Sequence, residues 1–219
     1  MGCWSAENAT NAYLKTLRMG HRAKEPDVAE FISALAAGNN AQLMVVACAG
    51  AANSTTIALV AAAHQTGGRV ICILRGHEEL QLSKDALGHH ACHVEFVIGE
   101  AGSLLLNHYS EADFVLIDCK LENHEAILRA TQAGGKRNGA IVVGYNAFSR
   151  GSWRSGGSKT QLLPIGDGLL VTRISANANI DRSCGNGKKS HHWIVKVDQC
   201  TGEEHVFRVR FPGGKQIEA

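Results

Sequence analysis

The spacing of apolar residues changes several times along the 219-residue chain, and each change marks an element. Ser5-Ala6-Glu7-Asn8 precedes apolar positions at Tyr13, Leu14 and Leu17, which predicts a capped first helix. Glu25-Pro26-Asp27 opens a second helix, with Val28, Phe31, Ile32 and Leu35 at helical spacing and Gly38 as its stop. Leu43 to Cys48 is then a short, β-branched apolar run of the kind that forms a buried strand, and Ser54 to His64 is an Ala-rich helical stretch. The alternation repeats. Strands are predicted over 69–74, 94–98, 114–118 and 140–143, with helices over 77–87, near 102–107 and over 122–133. Strands separated by helical segments require right-handed crossovers, so the fold class is α/β: a doubly wound, mainly parallel sheet with helices on both faces.

Beyond residue 150 the pattern differs. Arg150 to Lys159 is a Gly/Ser-rich loop, Leu169 to Ser175 a strand, and Asn177 to Lys189 a long polar loop. His192 to Val197 and His205 to Arg210 flank Thr201-Gly202 and predict a hairpin in which Val206, Arg208 and Arg210 face one way, with Phe207, Val209 and Phe211 facing the other. The expected organisation is one domain over 1–219, with leading helices at 1–40, an α/β core at 41–176 and a terminal hairpin at 190–211.

Composition narrows this picture. With 45% hydrophobic and 19% charged residues the chain has material for a core, which excludes a disordered or fibrous protein. Its apolar runs fall far short of the roughly 20 residues of a membrane span. Met1-Gly2-Cys3-Trp4-Ser5 lacks the layout of a signal peptide, so the expected location is the cytoplasm, with the nucleus left open. Seven cysteines without a C-x-x-C pair fit reduced, buried thiols, those at 48, 72, 92 and 119 falling in or beside apolar runs.

The net charge of +2 divides unevenly. Residues 1–149 hold 11 Lys+Arg and 14 Asp+Glu, giving −3, while residues 150–219 hold 11 and 6, giving +5. Arg150, Arg154, Lys159, Arg182, Lys188 and Lys189 form a basic tract among Gly and Ser, suited to anions or simply solvated. Aromatic residues make up 5% of the chain and show no stacking platform, which disfavours nucleic acid as a partner.

Three segments resemble the class I, S-adenosylmethionine-dependent methyltransferases, nearest the catechol and caffeoyl-coenzyme A O-methyltransferase branch. They are Val94 to Ala101, Phe114 to Asp118 with Glu122-Asn123 behind it, and Leu163-Pro164-Ile165-Gly166-Asp167-Gly168-Leu169-Leu170 at the turn into a sixth strand. A narrower resemblance runs through Trp4-Ser5, Ala12-Tyr13, Ala36-Ala37-Gly38, Val197-Asp198-Gln199 and Thr201 to Arg208. Those residues are similar to a plant family of unknown function assigned to the same fold, which implies a plant source.

The resemblance implies a cofactor site over Ala49, Gly50, Ala51, Asn53, Arg75, Gly99, Glu100, Ala101 and Asp118. This chain departs from the pattern at several of these places. The first strand of such enzymes ends in an acid and a loop with three glycines, where the backbone passes the cofactor without room for a Cβ. Here the acid is Ala47, and the glycine places read Ala49, Ala51 and Asn53. The ribose-binding acid at the end of the second strand is Leu74, and losing such a bond costs roughly 1.5–3 kcal/mol. Arg75 beside it suits a phosphorylated ribose, or is simply an exposed strand-end arginine.

The cation-dependent branch implies three oxygen ligands, of which Asp118 and Asn146 match while the middle place is Tyr145, so no metal is expected. Asp118, Lys120, His124, Tyr145 and Asn146 nonetheless bring together an acid, bases and a phenol. Asp118, His124 and Tyr145 are the candidate catalytic groups, with His124 the base by intrinsic pKa. Asp118 fits equally well as the cap of the following helix. His89, His90 and His93 share no one helix or strand face, which argues against a metal.

The leading functional reading is a methyltransferase-like protein with eroded S-adenosylmethionine motifs that binds or transforms a small-molecule ligand at the strand carboxyl ends. Its alternatives are an active O- or N-methyltransferase on a small plant metabolite and a nucleic-acid or protein interaction module. S-adenosylmethionine is a doubtful cofactor in the leading reading. No membrane partner is expected, and a homodimer is left open.

Overall fold

The computed structural model describes residues 4–19, 27–133, 139–149 and 160–174, together with the backbone of 191–197 and 204–210. The chain falls into two units, Met1–Ala178 and Asn179–Ala219. The first begins with α1 (Ala6–Met19) and α2 (Val28–Gly38). Ser5 Oγ accepts from Asn8 N–H at the start of α1. Asp27 and Glu30 close a reciprocal capping box on α2, which satisfies donors that a helix start otherwise leaves unpaired.

The alternation follows with boundaries close to those the pattern predicts. It runs β1 (Leu43–Ala47), α3 (Ser54–Thr66), β2 (Arg69–Leu74), α4 (His77–Leu87), β3 (Val94–Ile98), α5 (Ala101–Asn107), β4 (Phe114–Asp118), α6 (His124–Ala133) and β5 (Ala140–Tyr145). Helix α6 starts two residues later than the pattern suggested, because Leu121-Glu122-Asn123 turns before it.

The sheet has seven strands in the order β3-β2-β1-β4-β5-β7-β6, where β6 is Thr160–Leu163 and β7 is Leu169–Ile174. Pairs among β1 to β5 are parallel, and β7 lies antiparallel between β5 and β6. The doubly wound, mainly parallel α/β reading is therefore the observed fold. Two details correct it. Thr160–Leu163 is a strand the sequence pattern did not mark, and its half-exposed, mixed residues explain why. The Pro164-to-Gly168 turn accordingly leads into the seventh strand of the chain, not the sixth. Gly166 and Gly168 hold left-handed φ values of +54° and +87° there, and a Cβ on Gly166 would run into the Val28 side chain.

Side chains alternate across the sheet. Met44, Val46, Cys72, Phe114 and Leu116 pack with α1, α2 and α3 on one face. Val45, Ala47, Ile71, Val115 and Ile117 pack with Leu105 of α5 and Ile127 and Leu128 of α6 on the other. Ser5 N–H donates to Gly38 O at 2.8 Å, and the Trp4 ring occupies the place a Cβ on Gly38 would take. The Trp4-Ser5 and Ala36-Ala37-Gly38 segments are thus one packed contact.

Cys48, Cys72 and Cys119 are buried free thiols, and Cys48 Sγ lies 3.7 Å from Cys72 Sγ. Cys92 corrects the expectation of burial. It is exposed in the 3₁₀ turn Gly88–His93, its Sγ donating to His89 O.

The second unit contains β8 (His191–Val197) and β9 (Glu204–Arg210), paired antiparallel with Ile194 opposite Phe207. This is the expected hairpin. Its Thr201-Gly202 turn and side-chain faces, the loops at 150–159 and 177–189 with their basic residues, Glu25-Pro26, and Cys3, Cys184 and Cys200 lie outside the described residues.

Candidate functional site at the strand carboxyl ends

Strand order reverses between β1 and β4, so the loops after these strands splay apart and leave a crevice at their carboxyl ends. The sequence-selected residues collect there in two groups.

The first group surrounds Asp118, the buried last residue of β4. Its Oδ1 accepts from Lys120 N–H at 3.0 Å and from Asn146 Nδ2 at 2.8 Å, and its Oδ2 accepts from Ala49 N–H at 3.4 Å. One carboxylate thereby ties together the loops that follow β1, β4 and β5. Asn146 reaches it from a left-handed φ of +58°, a conformation asparagine tolerates better than most side chains. The capping alternative is corrected here: Asp118 holds the Cys119-Lys120 turn, and α6 begins six residues after Asp118, at His124.

Tyr145, opposite Asp118 in the β4–β5 pair, is buried with its hydroxyl on Thr55 and Cys48. Burial, the Cys48 thiol and the Asp118 charge hold the phenol well above its ordinary pKa. Burial and Asp118 push the neighbouring Cys119 thiol up to about 12. His124 is also buried, and its Nδ1 sits 2.7 Å from Leu121 O at the start of α6. That contact requires the proton on Nδ1.

The loop after β1 is held at further points. Ala52 N–H donates to Ser83 Oγ of α4 at 2.8 Å, and Asn53 Oδ1 caps α3 by accepting from Thr55 N–H at 2.9 Å. Between these anchors Gly50 is different. A Cβ built on it meets no atom within 4 Å, so protein packing does not require a glycine there.

The second group lines an open cleft of about 340 Å³. Ala47 and Cys48 form its floor with Ile73 and Leu74, and Arg75 stands at the end of β2. Gly99, Glu100 and Ala101 follow β3, while Glu122 and Asn123 follow β4. Gly99 N–H donates to Leu74 O at 3.0 Å, which holds the ends of β2 and β3 together. Glu100 is committed to its own helix. Its carboxylate accepts from Gly102 N–H, Ser103 N–H and Asn123 Nδ2. Arg75 and Glu122, both exposed, have no ion pair or side-chain hydrogen bond among the described residues.

Of the residues selected from sequence, Arg75, Gly99, Glu100 and Ala101 therefore line the cleft. Ala49, Asp118 and Tyr145 sit in the first group, while Gly50, Ala51 and Asn53 lie along the β1–α3 loop. Ser83, Thr55 and Cys48 were missed, since nothing in local spacing marks a mid-helix serine that meets a loop 31 residues away. Glu122 carried a signal, because it follows directly on the β4 loop.

The donor set does not fit a hard cation. Asp118 already accepts three hydrogen bonds, Asn146 turns its NH2 group toward Asp118, and the Tyr145 phenol stays protonated. Among the described residues, no group of three or more His, Cys, Asp and Glu is placed to hold a metal ion. For S-adenosylmethionine the fit is divided. The cleft and the open backbone at Gly50 suit its nucleoside part, while Ala47 leaves no carboxylate for its amine.

This strand order, with an antiparallel strand set beside a parallel sheet and a crevice at the switch point, is that of the methyltransferase-like Rossmann fold. Solved structures of similar fold include a Podospora anserina methyltransferase bound to S-adenosylhomocysteine (13% identity, TM-score 0.57, covering 78% of this chain and 89% of that one). A caffeoyl-coenzyme A O-methyltransferase-like protein from Staphylococcus aureus is similar at 16% identity and a TM-score of 0.55, over 78% of this chain and 93% of the other. An O-methyltransferase from Bacillus cereus in complex with S-adenosylhomocysteine is similar at 14% identity and a TM-score of 0.52, over 78% and 92%. At these identities the likeness is one of fold. No curated protein matches the sequence. The chain belongs to the DUF1442 family, described as a protein of unknown function, whose model matches residues 2–209.

Proposed function

We propose that this protein is a methyltransferase-fold binder of a small molecule with a nucleoside-like part, held at the carboxyl ends of β1 to β4. The observation that carries the reading is the cleft between Arg75, Gly99 and Glu122, at the low end of the roughly 300–1,000 Å³ range of ligand pockets. Ala47, Ala49, Ala51 and Asn53 replace the acid and glycines that would grip a methionine tail, and Asp118 is occupied by the three loops it joins. In this reading the cleft serves the nucleoside-like part, with Leu74 in place of a ribose-binding acid, and nothing grips an amino-acid tail.

The test is isothermal titration with adenosine, S-adenosylhomocysteine and S-adenosylmethionine, together with native mass spectrometry of the purified protein. Adenosine and S-adenosylhomocysteine are expected to bind within about threefold of each other, because a tail without a charged partner adds little. S-adenosylhomocysteine binding tenfold or more tighter than adenosine, or no binding by any of the three, defeats the reading.

A second reading, an active O- or N-methyltransferase, is favoured by one observation: Gly50 keeps an unobstructed backbone where a donor would pass. The S-adenosylhomocysteine complexes of the Podospora and Bacillus proteins lend it the chemistry. Transfer of a labelled methyl group to a small acceptor by the wild-type protein, abolished in Gly50→Val, would establish it over the first.

A further inference from the structure

We infer that the cleft selects a nucleotide bearing a phosphate on the ribose 2′ or 3′ oxygen, with Arg75 as the group that distinguishes it from an unphosphorylated nucleoside. The inference rests on the nucleoside-binding reading above and names the ligand class of that site. In sheets of this kind the side chain at the end of the second strand meets the ribose. A carboxylate there accepts from free hydroxyls, while a nearby arginine accommodates a phosphate in their place. This chain has Leu74 and Arg75 at that point. Leu74 is buried and apolar, so it offers the hydroxyls no acceptor.

The charges of the cleft leave Arg75 available. Its walls carry Arg75, Glu100 and Glu122 as ionic groups. The Glu100 carboxylate is spent on two backbone N–H groups of α5 and on Asn123. Glu122 follows β4 and has no ion pair or side-chain hydrogen bond among the described residues, so its carboxylate can accept from an exocyclic amino group of a base. Glu78 and Glu79, in the first turn of α4, are not among the groups lining the cleft. A ligand with a hydrogen-bond donor on the base and an anion on the ribose therefore finds a complementary side chain for each in the lining of the cleft. A guanidinium pairs with phosphate through two parallel hydrogen bonds, which gives direction as well as charge.

The test compares 2′,5′-ADP and 3′,5′-ADP with 5′-AMP and adenosine by isothermal titration, on the full-length wild type and on Arg75→Ala and Arg75→Lys. At least one of the two ribose-phosphorylated probes is expected to bind tenfold or more tighter than 5′-AMP, with that preference weakening as salt is raised. Arg75→Ala should bring the preference to within about twofold, with an unchanged thermal midpoint showing that the variant is folded. Arg75→Lys should retain part of the preference. Equal binding of 5′-AMP and both bisphosphates, or a preference that survives Arg75→Ala, overturns the inference and leaves the nucleoside reading standing. Absence of binding by all four probes overturns both.

Discussion

The two halves of the crevice use similar side chains to opposite ends. Around Asp118 the three candidate catalytic groups, Asp118, His124 and Tyr145, are buried, while Lys120 is exposed. The carboxylate joins three loops, Tyr145 is packed on Thr55 and Cys48, and His124 is fastened to Leu121 O. Around the cleft the charged side chains of Arg75 and Glu122 stand exposed, with no ion pair or side-chain hydrogen bond among the described residues. Residue type alone therefore does not separate polar groups that join loops from those that line the cleft. In the first half polar chemistry stabilises the loops, and in the second it remains available for a ligand.

The strongest way to break the comparison is Asp118→Ala. It leaves Ala49 N–H, Lys120 N–H and Asn146 Nδ2 without their acceptor at a buried site, and should cost about 3 kcal/mol or more in urea unfolding. Asp118→Asn should cost less. A loss below about 1 kcal/mol for the alanine variant would show that the carboxylate does not hold the loops.

Alkaline pH provides the next test. The folded protein holds Cys119 at about 12, above its ordinary value of 9.0, so the folded state retains a proton that the unfolded chain releases. The stability linked to this thiol is complete below pH 9 and is lost as pH rises from 9 toward 12, at up to about 1.4 kcal/mol per pH unit. Tyr145, also raised, adds to the loss above pH 10. Urea midpoints measured from pH 7 to 11 should fall above pH 9, and Cys119→Ala should flatten the fall between 9 and 10.

Tyr145→Phe removes only the hydroxyl and should lower stability by about 1 kcal/mol, read as a shift in thermal midpoint. If the phenol instead faces a ligand, stability stays constant and affinity changes. The smallest stability effect is expected at Gly50→Ala, within about 0.5 kcal/mol of wild type, because its Cβ enters open space. Affinity for adenosine should nevertheless fall at least tenfold if the ligand passes against this backbone. Unchanged affinity would place the ligand wholly within the cleft beyond β2 and β3.

Most of the fold was legible because its elements are local. Val45, Val46, Ile71 and Val115 lie in short apolar runs, and Asp27 with Glu30 spells a capping box without reference to anything distant. Strand β6 was not legible, since Thr160-Gln161-Leu162-Leu163 is a half-exposed edge defined by its pairing with β7. The same limit applied to the site. Arg75, Gly99 and Glu100 could be selected because they end strands, and strand ends in a parallel sheet line its crevice. Which of the selected polar groups were already occupied was not readable from the chain alone.

By itself the sequence determined the doubly wound core, the capped leading helices, the terminal hairpin and the apolar Ala47 and Leu74 at the ends of the first two strands, because each depends on residue type and short-range spacing. Tertiary structure alone decided that Asp118 meets Ala49 from 69 residues away and Asn146 from 28, that Ser83 anchors Ala52, and that Arg75 and Glu122 are left facing a common cleft. Those pairings arise where separate strands end side by side, and hydrogen-bond partners brought together by chain crossovers leave no periodic trace in the chain that carries them.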